Sequence, residues 1–361
     1  MDYMQQALSL ARIAVGGTSP NPAVGAVLVK DGGVVGEGYT QPPGGDHAEV
    51  VALKQAGDRA SGATMYVTLE PCCFTGRTPP CTQAIIDAGV AAVHIAVLDP
   101  NPKVNGAGQA ELEEAGVEVT VGEHEEEAAE VNESYMKYIT TGQPFVTVKF
   151  AISLDGKIAT WSGDSHWISC EQSRQFVHRL RRASDAVMVG VNTEILDDPR
   201  LTARDRPDEK YPLRVIVDSK ARTLPTAQVF NEPGTTLIAA TTDADPQALK
   251  ELEASGAEVL QLSPWKSLVD LHELLAELGR RGITSILVEG GSTLLGSLFD
   301  GCFVDKVVAF IAPVIIGGED AKSAVGGQGA NRIGQAVKLN RIRMERCGSD
   351  MMVVGYLDEE A

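Results

Sequence analysis

His47 and Glu49 stand two residues apart in "HAEVV", and Cys72 and Cys81 bracket "CCFTGRTPPC", in a chain with only six histidines and six cysteines. One imidazole and two thiolates are three of the four ligands of a tetrahedral zinc ion, and catalytic sites leave the fourth position to water. His47 and Cys81 each fall where a helix is expected to begin, and helix N-termini favour thiolates. Glu49 is too near His47 along the chain to take the same metal position. It can instead accept a proton from the water and pass it on. Singly, each residue has a plainer role: a solvated glutamate, a satisfied histidine, buried cysteines packed as small hydrophobes. It is the combination that points to metal chemistry.

The order His-x-Glu, then a strand, then Glu-Pro-Cys is similar to the pattern of zinc deaminases. Cys73 is expected to be a non-ligand, because a fourth thiolate would close the water position. The eight residues between Cys72 and Cys81 exceed the two-residue gap of many zinc deaminases and suggest a larger polar substrate.

The elements that must hold these residues alternate. "YMQQALSLARIAV" has helical spacing, "AVGAVLVKDGGVVGEG" reads as strand, Gly turn, strand, and "HAEVVALKQAG" is a helix stopped by Gly57. A strand in "ATMYVTLEP", a helix in "CTQAIIDAG", a strand in "AAVHIAVLDP", a helix in "GQAELEEAG" and a strand in "VEVTVG" follow. Strands joined by helices of this length predict mainly parallel pairing with helices on both faces, an α/β sandwich. The stretch "EHEEEAAEVNESYMKYITTGQP", read as a solvated acidic helix face, separates this block from the next, and the boundary falls at Gln143. From Pro144 onward seven β-branched runs, from "FVTVKFAIS" to "KVVAFIAPVIIG", alternate with helices over 170–183, 246–255, 267–280 and 292–299. The tail reads as strand, turn at Gly348 and final strand. Two domains, 1–143 and 144–361, are therefore expected, in keeping with a length of 361 residues.

Composition narrows the partners. A net charge of −18 opposes nucleic acid and anionic membranes, and 5% aromatic residues leave little for base stacking. No stretch reaches the roughly 18 apolar residues of a membrane span, and the start lacks a basic region leading into an apolar one. Three cysteines cluster within 72–81 and the others are scattered, which is not a disulfide framework. A cytoplasmic protein is expected.

"SPNPAVGAVLV", "HAEV", "TLEPCCFTGRTPPC" and "VLDPNPKVNGAG" resemble the deaminase half of the bifunctional riboflavin-biosynthesis deaminase/reductase family, over residues 1–122. The resemblance implies a cytidine-deaminase-like α/β/α sandwich with His47, Cys72 and Cys81 as zinc ligands, Glu49 as proton shuttle, and Asn21, Arg77, Asp99 and Asn101 around the substrate. Asn21, Asp99 and Asn101 also suit plain turns, while an Asn amide can pair with a pyrimidine edge and Arg77 can meet a phosphate. Two positions depart from the family, which often has histidine where Thr40 and Phe74 stand. That bears on contacts to the ribose phosphate, not on the metal.

"PFVTVKFAISLDGKIA", "SHWIS", "HRLRRASDAVMVGVNTEILDDPRLTAR" and "VEGGSTLLGSLF" resemble the reductase half of the same family over about residues 144–318, and imply a dihydrofolate-reductase-like α/β domain that binds NADPH. Without that resemblance the Gly-Gly step into a Ser-Thr helix start is a weak phosphate signal, and no Gly-x-Gly-x-x-Gly fingerprint follows a strand. The resemblance implies cofactor contacts from Ala151, Trp167, Thr193, Asp197, Ser219 and the helix start Gly291, Ser292, Thr293, Leu294, Leu295, Gly296 and Ser297. It implies substrate contacts from Ser165, Arg181, Leu201, Arg204 and Glu289. Arg181 and Arg204 suit a phosphate, Trp167 suits core or cofactor wall equally, and Lys149 with Asp197 is the expected proton-handling pair.

The expected activity is thus deamination of 2,5-diamino-6-(5-phosphoribosylamino)pyrimidin-4(3H)-one followed by NADPH-dependent reduction of its ribosyl chain to ribityl. A small-molecule substrate, no nucleic acid or membrane partner, and a homo-oligomer are expected. The rival is a zinc deaminase of a nucleoside or tRNA base with a non-reductase second domain; acidic charge and the length of that domain oppose it. A zinc-stabilised scaffold without catalysis is the other, and Glu49→Gln would leave its function unchanged.

Overall fold

The computed structural model describes residues 2–76, 78–165, 168–204 and 211–357. The chain divides into two compact units, Met1–Gln143 and Pro144–Ala361.

The first unit runs α1 (Tyr3–Ala14), β1 (Gly25–Lys30), β2 (Gly33–Tyr39), α2 (Ala48–Ala56), β3 (Thr64–Val67), α3 (Cys81–Asp87), β4 (Ala92–Ile95), α4 (Ala107–Glu114), β5 (Glu118–Val121), α5 (Glu125–Val131) and α6 (Glu133–Thr141). Asp2 caps α1 by accepting the Gln5 N–H at 2.9 Å, and Met4, Ala7, Leu8 and Ala11 recur at helical spacing to form its buried face. The sheet order is β2-β1-β3-β4-β5. Only β3, β4 and β5 are parallel; β1 pairs antiparallel with both β2 and β3, so the expectation of mainly parallel pairing is corrected. The cause is local. Asp31 and Gly32 both take positive φ (52° and 76°), a two-residue turn that folds β2 straight back on β1.

Helices cover both faces. A Cβ on Gly25 would collide with the backbone of α1, and one on Gly36 or Gly38 with the backbone of α2. These glycines let α1 and α2 lie tight on opposite sides of the β1/β2 hairpin, which sets the depth of the α2 N-terminus. The acidic stretch is not a spacer: Ala128 of α5 and Tyr135 of α6 belong to the buried core of this unit, while Glu125 and Glu126 face solvent.

The second unit runs β6 (Phe145–Ser153), α7 (Glu171–Ala183), β7 (Ala186–Gly190), α8 (Val191–Asp197), β8 (Leu213–Val217), β9 (Thr236–Thr241), α9 (Pro246–Ala254), β10 (Glu258–Leu262), β11 (Pro264–Trp265), β12 (Leu268–Val269), α10 (Leu271–Arg280), β13 (Ser285–Glu289), α11 (Ser292–Asp300), β14 (Lys306–Ala312), β15 (Asn340–Cys347) and β16 (Asp350–Tyr356). The main sheet has the order β10-β9-β8-β7-β13-β6-β14-β16-β15. It is parallel from β10 to β14, and the C-terminal hairpin adds antiparallel on β14. Its central strands are apolar on both faces, as a sheet covered by helices requires.

Two local expectations change. The helix expected over 267–280 begins at Leu271, because Lys266 and Ser267 take positive φ (49° and 65°) in the β11–β12 turn and Asp270 caps the helix at His272 and Glu273. The sequence reading missed α8, whose seven residues follow β7 without a linker. Among the described residues no helix is long and apolar enough to cross a membrane.

Candidate active sites

In the first unit the N-cap of α2 is His47, with extended backbone (φ −75°, ψ 163°), so its ring projects beyond the helix end. Its Nδ1 lies 3.6 Å from Cys72 Sγ and 3.3 Å from Cys81 Sγ. One donor atom from each of the three residues lies within 4.8 Å of the others. The backbone N–H of Cys81, at the start of α3, donates to Cys72 Sγ at 3.4 Å. Thr78 Oγ1 is 3.4 Å from the second ring nitrogen, Nε2, and so holds the ring's orientation. One imidazole and two sulfurs converging on a point is a zinc donor set. Cys73 lies outside the cluster, its thiol directed at the Lys103 carbonyl at 3.7 Å.

The electrostatics suit a cation. Cys72 is pulled down to about 4, first by the shared proton of Cys81, then by His47 and the Cys81 N–H. Cys81 is pushed up correspondingly by Cys72 and by burial, so without a cation the two sulfurs retain one proton between them. Glu49, on the first turn of α2, is 4% exposed, and burial raises its carboxyl above the usual range, with the Cys72 charge adding to the effect. A carboxylate that is costly to leave ionised is suited to hold and release a proton.

Of the expected substrate residues, Asn21 sits in a turn closed by its N–H on Thr18 O at 2.8 Å. The Asp99 carboxylate accepts from Asn101 N at 2.9 Å and from Tyr135 OH at 3.0 Å, and Asn101 Oδ1 accepts from Lys103 N at 3.1 Å. Both side chains thus build the turn that presents them. Arg77 lies outside the described residues. Thr40 is buried, and its hydroxyl accepts from Val24 N at 3.1 Å, a stitch between strand ends. Phe74 has the Lys103 ammonium 5.7 Å from its ring centre.

Two residues here escaped the sequence reading. Tyr135 comes from the stretch read as solvated. Glu70, inside the quoted "TLEPCC", is 3% exposed and accepts four backbone N–H groups, from Asp99 (3.2 Å), Gly106 (3.0 Å), Gly108 (2.9 Å) and Gln109 (3.1 Å). It ties the chain before Cys72 to the Asp99 turn and to the first turn of α4. A buried glutamate two residues before a ligand was the available signal.

In the second unit, a cleft of about 650 Å³ opens beyond the C-terminal ends of β7, β8 and β13, where open parallel sheets bind ligands. Thr193, Asp197, Ser219, Ser165 and the Gly291–Leu294 turn with Ser297 line it. Gly290 and Gly291 take positive φ (81° and 89°), and a Cβ on Gly291 would press on Thr193 Oγ1 at 3.3 Å. Gly291 caps α11 without a side chain, which leaves first-turn amides facing the cleft. A glycine-lined cradle of this size, with free amides, fits a dinucleotide. Three expected cofactor residues are not among the residues lining this cleft: Leu295 is in the core, Gly296 packs on the Gly326–Gly327 backbone, and Ala151 packs against the cluster of Val177, Val308, Phe310 and Met352. The 3.6-residue period of α11 turns Leu295 inward while Leu294 and Ser297 face the cleft. Trp167 lies outside the described residues.

A second cluster adjoins β13. Arg181 on α7 grips Glu289 in a fork, Nε to Oε1 at 2.5 Å and Nη2 to Oε2 at 3.0 Å, and its Nη1 donates to Thr202 O at 3.1 Å. Leu201, buried with φ 55°, precedes that carbonyl, and His178 Nδ1 lies 3.2 Å from it and 3.3 Å from Arg204 N. His178 was not anticipated. Lys149 is in register with Glu289 across β6 and β13. Burial lowers its ammonium below the usual range, against the pull of Glu289, and Arg181 lowers it further. The charges acting on Lys149 are therefore Glu289 and Arg181. Asp197, expected as its partner, is exposed and accepts from Ser165 Oγ at 3.0 Å.

Comparison with known proteins agrees with this geometry. Residues 1–97 match the cytidine and deoxycytidylate deaminase zinc-binding region, and residues 144–353 match the RibD C-terminal domain. The riboflavin biosynthesis protein RibD of Aquifex aeolicus is 46% identical over 352 residues, covering 98% of this chain and 97% of its own. That of Escherichia coli is 40% identical over 361 residues, covering 97% of each. Among solved structures, Acinetobacter baumannii RibD (36% identical, TM-score 0.86) covers 99% of this chain and 98% of its own. A Thermotoga maritima diaminohydroxyphosphoribosylaminopyrimidine deaminase/5-amino-6-(5-phosphoribosylamino)uracil reductase (35% identical, TM-score 0.86) has the same coverage. The chain belongs to the RibD family of riboflavin biosynthesis proteins, a zinc deaminase and a reductase on one polypeptide.

Proposed function

We propose that the first unit, 1–143, deaminates 2,5-diamino-6-(5-phosphoribosylamino)pyrimidin-4(3H)-one and that the second, 144–361, reduces the ribosyl chain of the product to give 5-amino-6-(5-phosphoribitylamino)uracil. The observation that carries the first step is the convergence of His47, Cys72 and Cys81 beside buried Glu49. When bound, zinc supplies the Lewis acid that makes water nucleophilic near neutral pH, and NADPH supplies hydride.

The chain's own groups do the rest. His47 Nδ1 and the two sulfurs hold the metal, and Glu49 takes a proton from the attacking water and delivers it to the departing amine. Asn21, Asp99 and Asn101, set by their turns, orient the pyrimidine, and Arg77 meets the phosphate. In the second unit the α11 amides, Thr193 and Ser219 hold the cofactor. Arg181, Glu289, Leu201, Arg204 and Ser165 hold the substrate, and Lys149, its ammonium lowered below the usual range by burial, handles the sugar's proton. A nucleoside or tRNA substrate with a non-reductase second domain is not favoured, since that domain matches a reductase.

Two further readings belong here. A homo-oligomer is supported by β15, the outermost strand, which exposes Ile342 and Met344 along an unpaired edge. A cytoplasmic location is supported by the cysteines, all free among the described residues. The test is to incubate the chain with the diamino substrate, with and without NADPH, and record product masses. Exchange of an amino group for oxygen without NADPH, and gain of two hydrogens with it, is expected; turnover of cytidine or tRNA in preference would overturn the substrate assignment.

A further inference from the structure

Asn132 stands where α5 ends and α6 begins, at the N-cap position from which an Asn side chain ordinarily accepts a bond from the first helical turn. It does not cap. Its buried amide turns instead to Ala23, accepting from Ala23 N at 2.8 Å and donating to Ala23 O at 3.1 Å. Three residues on, in the first turn of α6, buried Tyr135 donates its hydroxyl to the Asp99 carboxylate, 3.0 Å from one oxygen and 3.1 Å from the other. Burial, then the Asp99 charge, pushes the phenol above its ordinary range, so it stays a donor. One short stretch of the acidic segment therefore grips two turns from distant parts of the chain. Ala23 is separated from Asn21 by Pro22 alone. The proline ring fixes its own φ, so few soft torsions lie between the gripped peptide and the Asn21 side chain.

We propose that Asn132 and Tyr135 are positioning residues of the deaminase, which set the separation of the Asn21 and Asp99 turns and so the fit of the pyrimidine between them. The roles rest on the reading of those two turns as substrate-binding. The chemistry of each grip suits the task. A bidentate amide fixes the Ala23 peptide both along and across the chain, as a single hydrogen bond would not. A carboxylate has about four acceptor sites. With Asn101 N and the Tyr135 hydroxyl on Asp99, acceptor capacity remains for an amino group of the substrate. Neither residue belongs to the metal cluster. The match to the cytidine and deoxycytidylate deaminase zinc-binding region ends at residue 97, so His47, Glu49, Cys72 and Cys81 lie inside it, whereas Asp99, Asn132 and Tyr135 lie beyond it. The matched region thus carries the metal chemistry, and the α5–α6 segment adds fit to the substrate.

The test measures kcat and KM for deamination of 2,5-diamino-6-(5-phosphoribosylamino)pyrimidin-4(3H)-one by the full, zinc-loaded chain. Wild type is compared with Asn132→Ala and with Tyr135→Phe, which keeps the ring in the core and decides the matter should Asn132→Ala misfold. Tyr135→Phe loses one bond to a charged acceptor and is expected to raise KM about tenfold, with kcat within about twofold of wild type. Asn132→Ala loses two bonds and should raise KM by about 10- to 100-fold. Because Tyr135 acts through Asp99, adding Tyr135→Phe to Asp99→Asn should raise KM by less than about a further twofold. A fall in kcat with KM unchanged, a full further loss in the Asp99→Asn background, or a wild-type KM in Tyr135→Phe would overturn the positioning roles. Wild-type KM in both Asn21→Ala and Asp99→Asn would remove the reading of the two turns as substrate-binding, and the roles with it.

Discussion

Replacing Glu70 with glutamine is the most direct way to ask what holds the deaminase site together, because the change keeps shape and removes only charge and one acceptor. The native carboxylate accepts two N–H groups on each oxygen, Gly108 and Gln109 on Oε1, Asp99 and Gly106 on Oε2. An amide has one oxygen, so two of these bonds survive, and its NH2 group then points at two buried donors. Each bond to a charged acceptor contributes about 1.5–3 kcal/mol net, and a stranded buried N–H costs a similar amount. The sum, discounted for relaxation, is a destabilisation of about 3–5 kcal/mol, a large share of a typical domain's 5–15 kcal/mol. The amides that lose their acceptor face the Asp99 turn and α4. Hydrogen exchange read by mass spectrometry should therefore show protection falling by about 100-fold or more over 99–109. Urea denaturation should show the same loss in the full chain, with zinc content lowered because the chain before Cys72 is loosened. Unchanged exchange over 99–109 together with a stability loss below about 1 kcal/mol would refute the reasoning.

Glu49→Gln should retain zinc, since Glu49 is not a ligand, while deamination falls by about 100- to 10,000-fold and reduction of deaminated substrate continues; metal analysis that found the zinc gone would contradict the shuttle role. Glu289→Gln should abolish reduction and cost about 3–5 kcal/mol, because Arg181 is left buried without its counter-charge; a melting temperature within about 2 °C of wild type would speak against that burial cost. Glu194, buried with one carboxylate oxygen unpartnered, is raised to about 7 by burial and by Asp198 and Asp218. Between its ordinary value of 4.5 and 7 the folded chain holds a proton that the unfolded chain has released, so stability falls as pH rises through that window and stays reduced above it. Glu194→Gln should flatten this dependence and stabilise the protein above pH 7 by about 1–2 kcal/mol after solvent screening, measured by denaturation at several pH values. A variant with the wild-type slope would exclude Glu194 as its source.

The zinc site was legible in sequence because its chemistry is local in type and ordered along the chain. His47 and Glu49 share one helix start, Cys72 and Cys81 flank one loop, and the loop's Pro and Gly residues mark where strand and helix end. The strand and helix runs were legible for the same reason, since period and punctuation are properties of neighbours. Where an expectation failed, a non-neighbour or a single turn had decided. The Gly turn between β1 and β2 was legible, but only the sheet order placed β1 between β2 and β3, which makes both of its pairings antiparallel. The acidic stretch after residue 122 showed charge to a reader of sequence, and only packing revealed that Tyr135 turns inward to Asp99.

The second unit divides the same way. Composition and β-branched runs determine a parallel, helix-covered sheet, because each run must bury both faces. Which side chains meet at its strand ends depends on sheet order and register. Lys149 and Glu289 are far apart in the chain and in register on adjacent strands, so Lys149 answers to Glu289 and Arg181, whereas Asp197 serves Ser165. The sequence by itself determined the elements and the metal-ligating residue types; the tertiary structure alone decided the partners, since burial and register assign each charged group the neighbours that set its proton affinity.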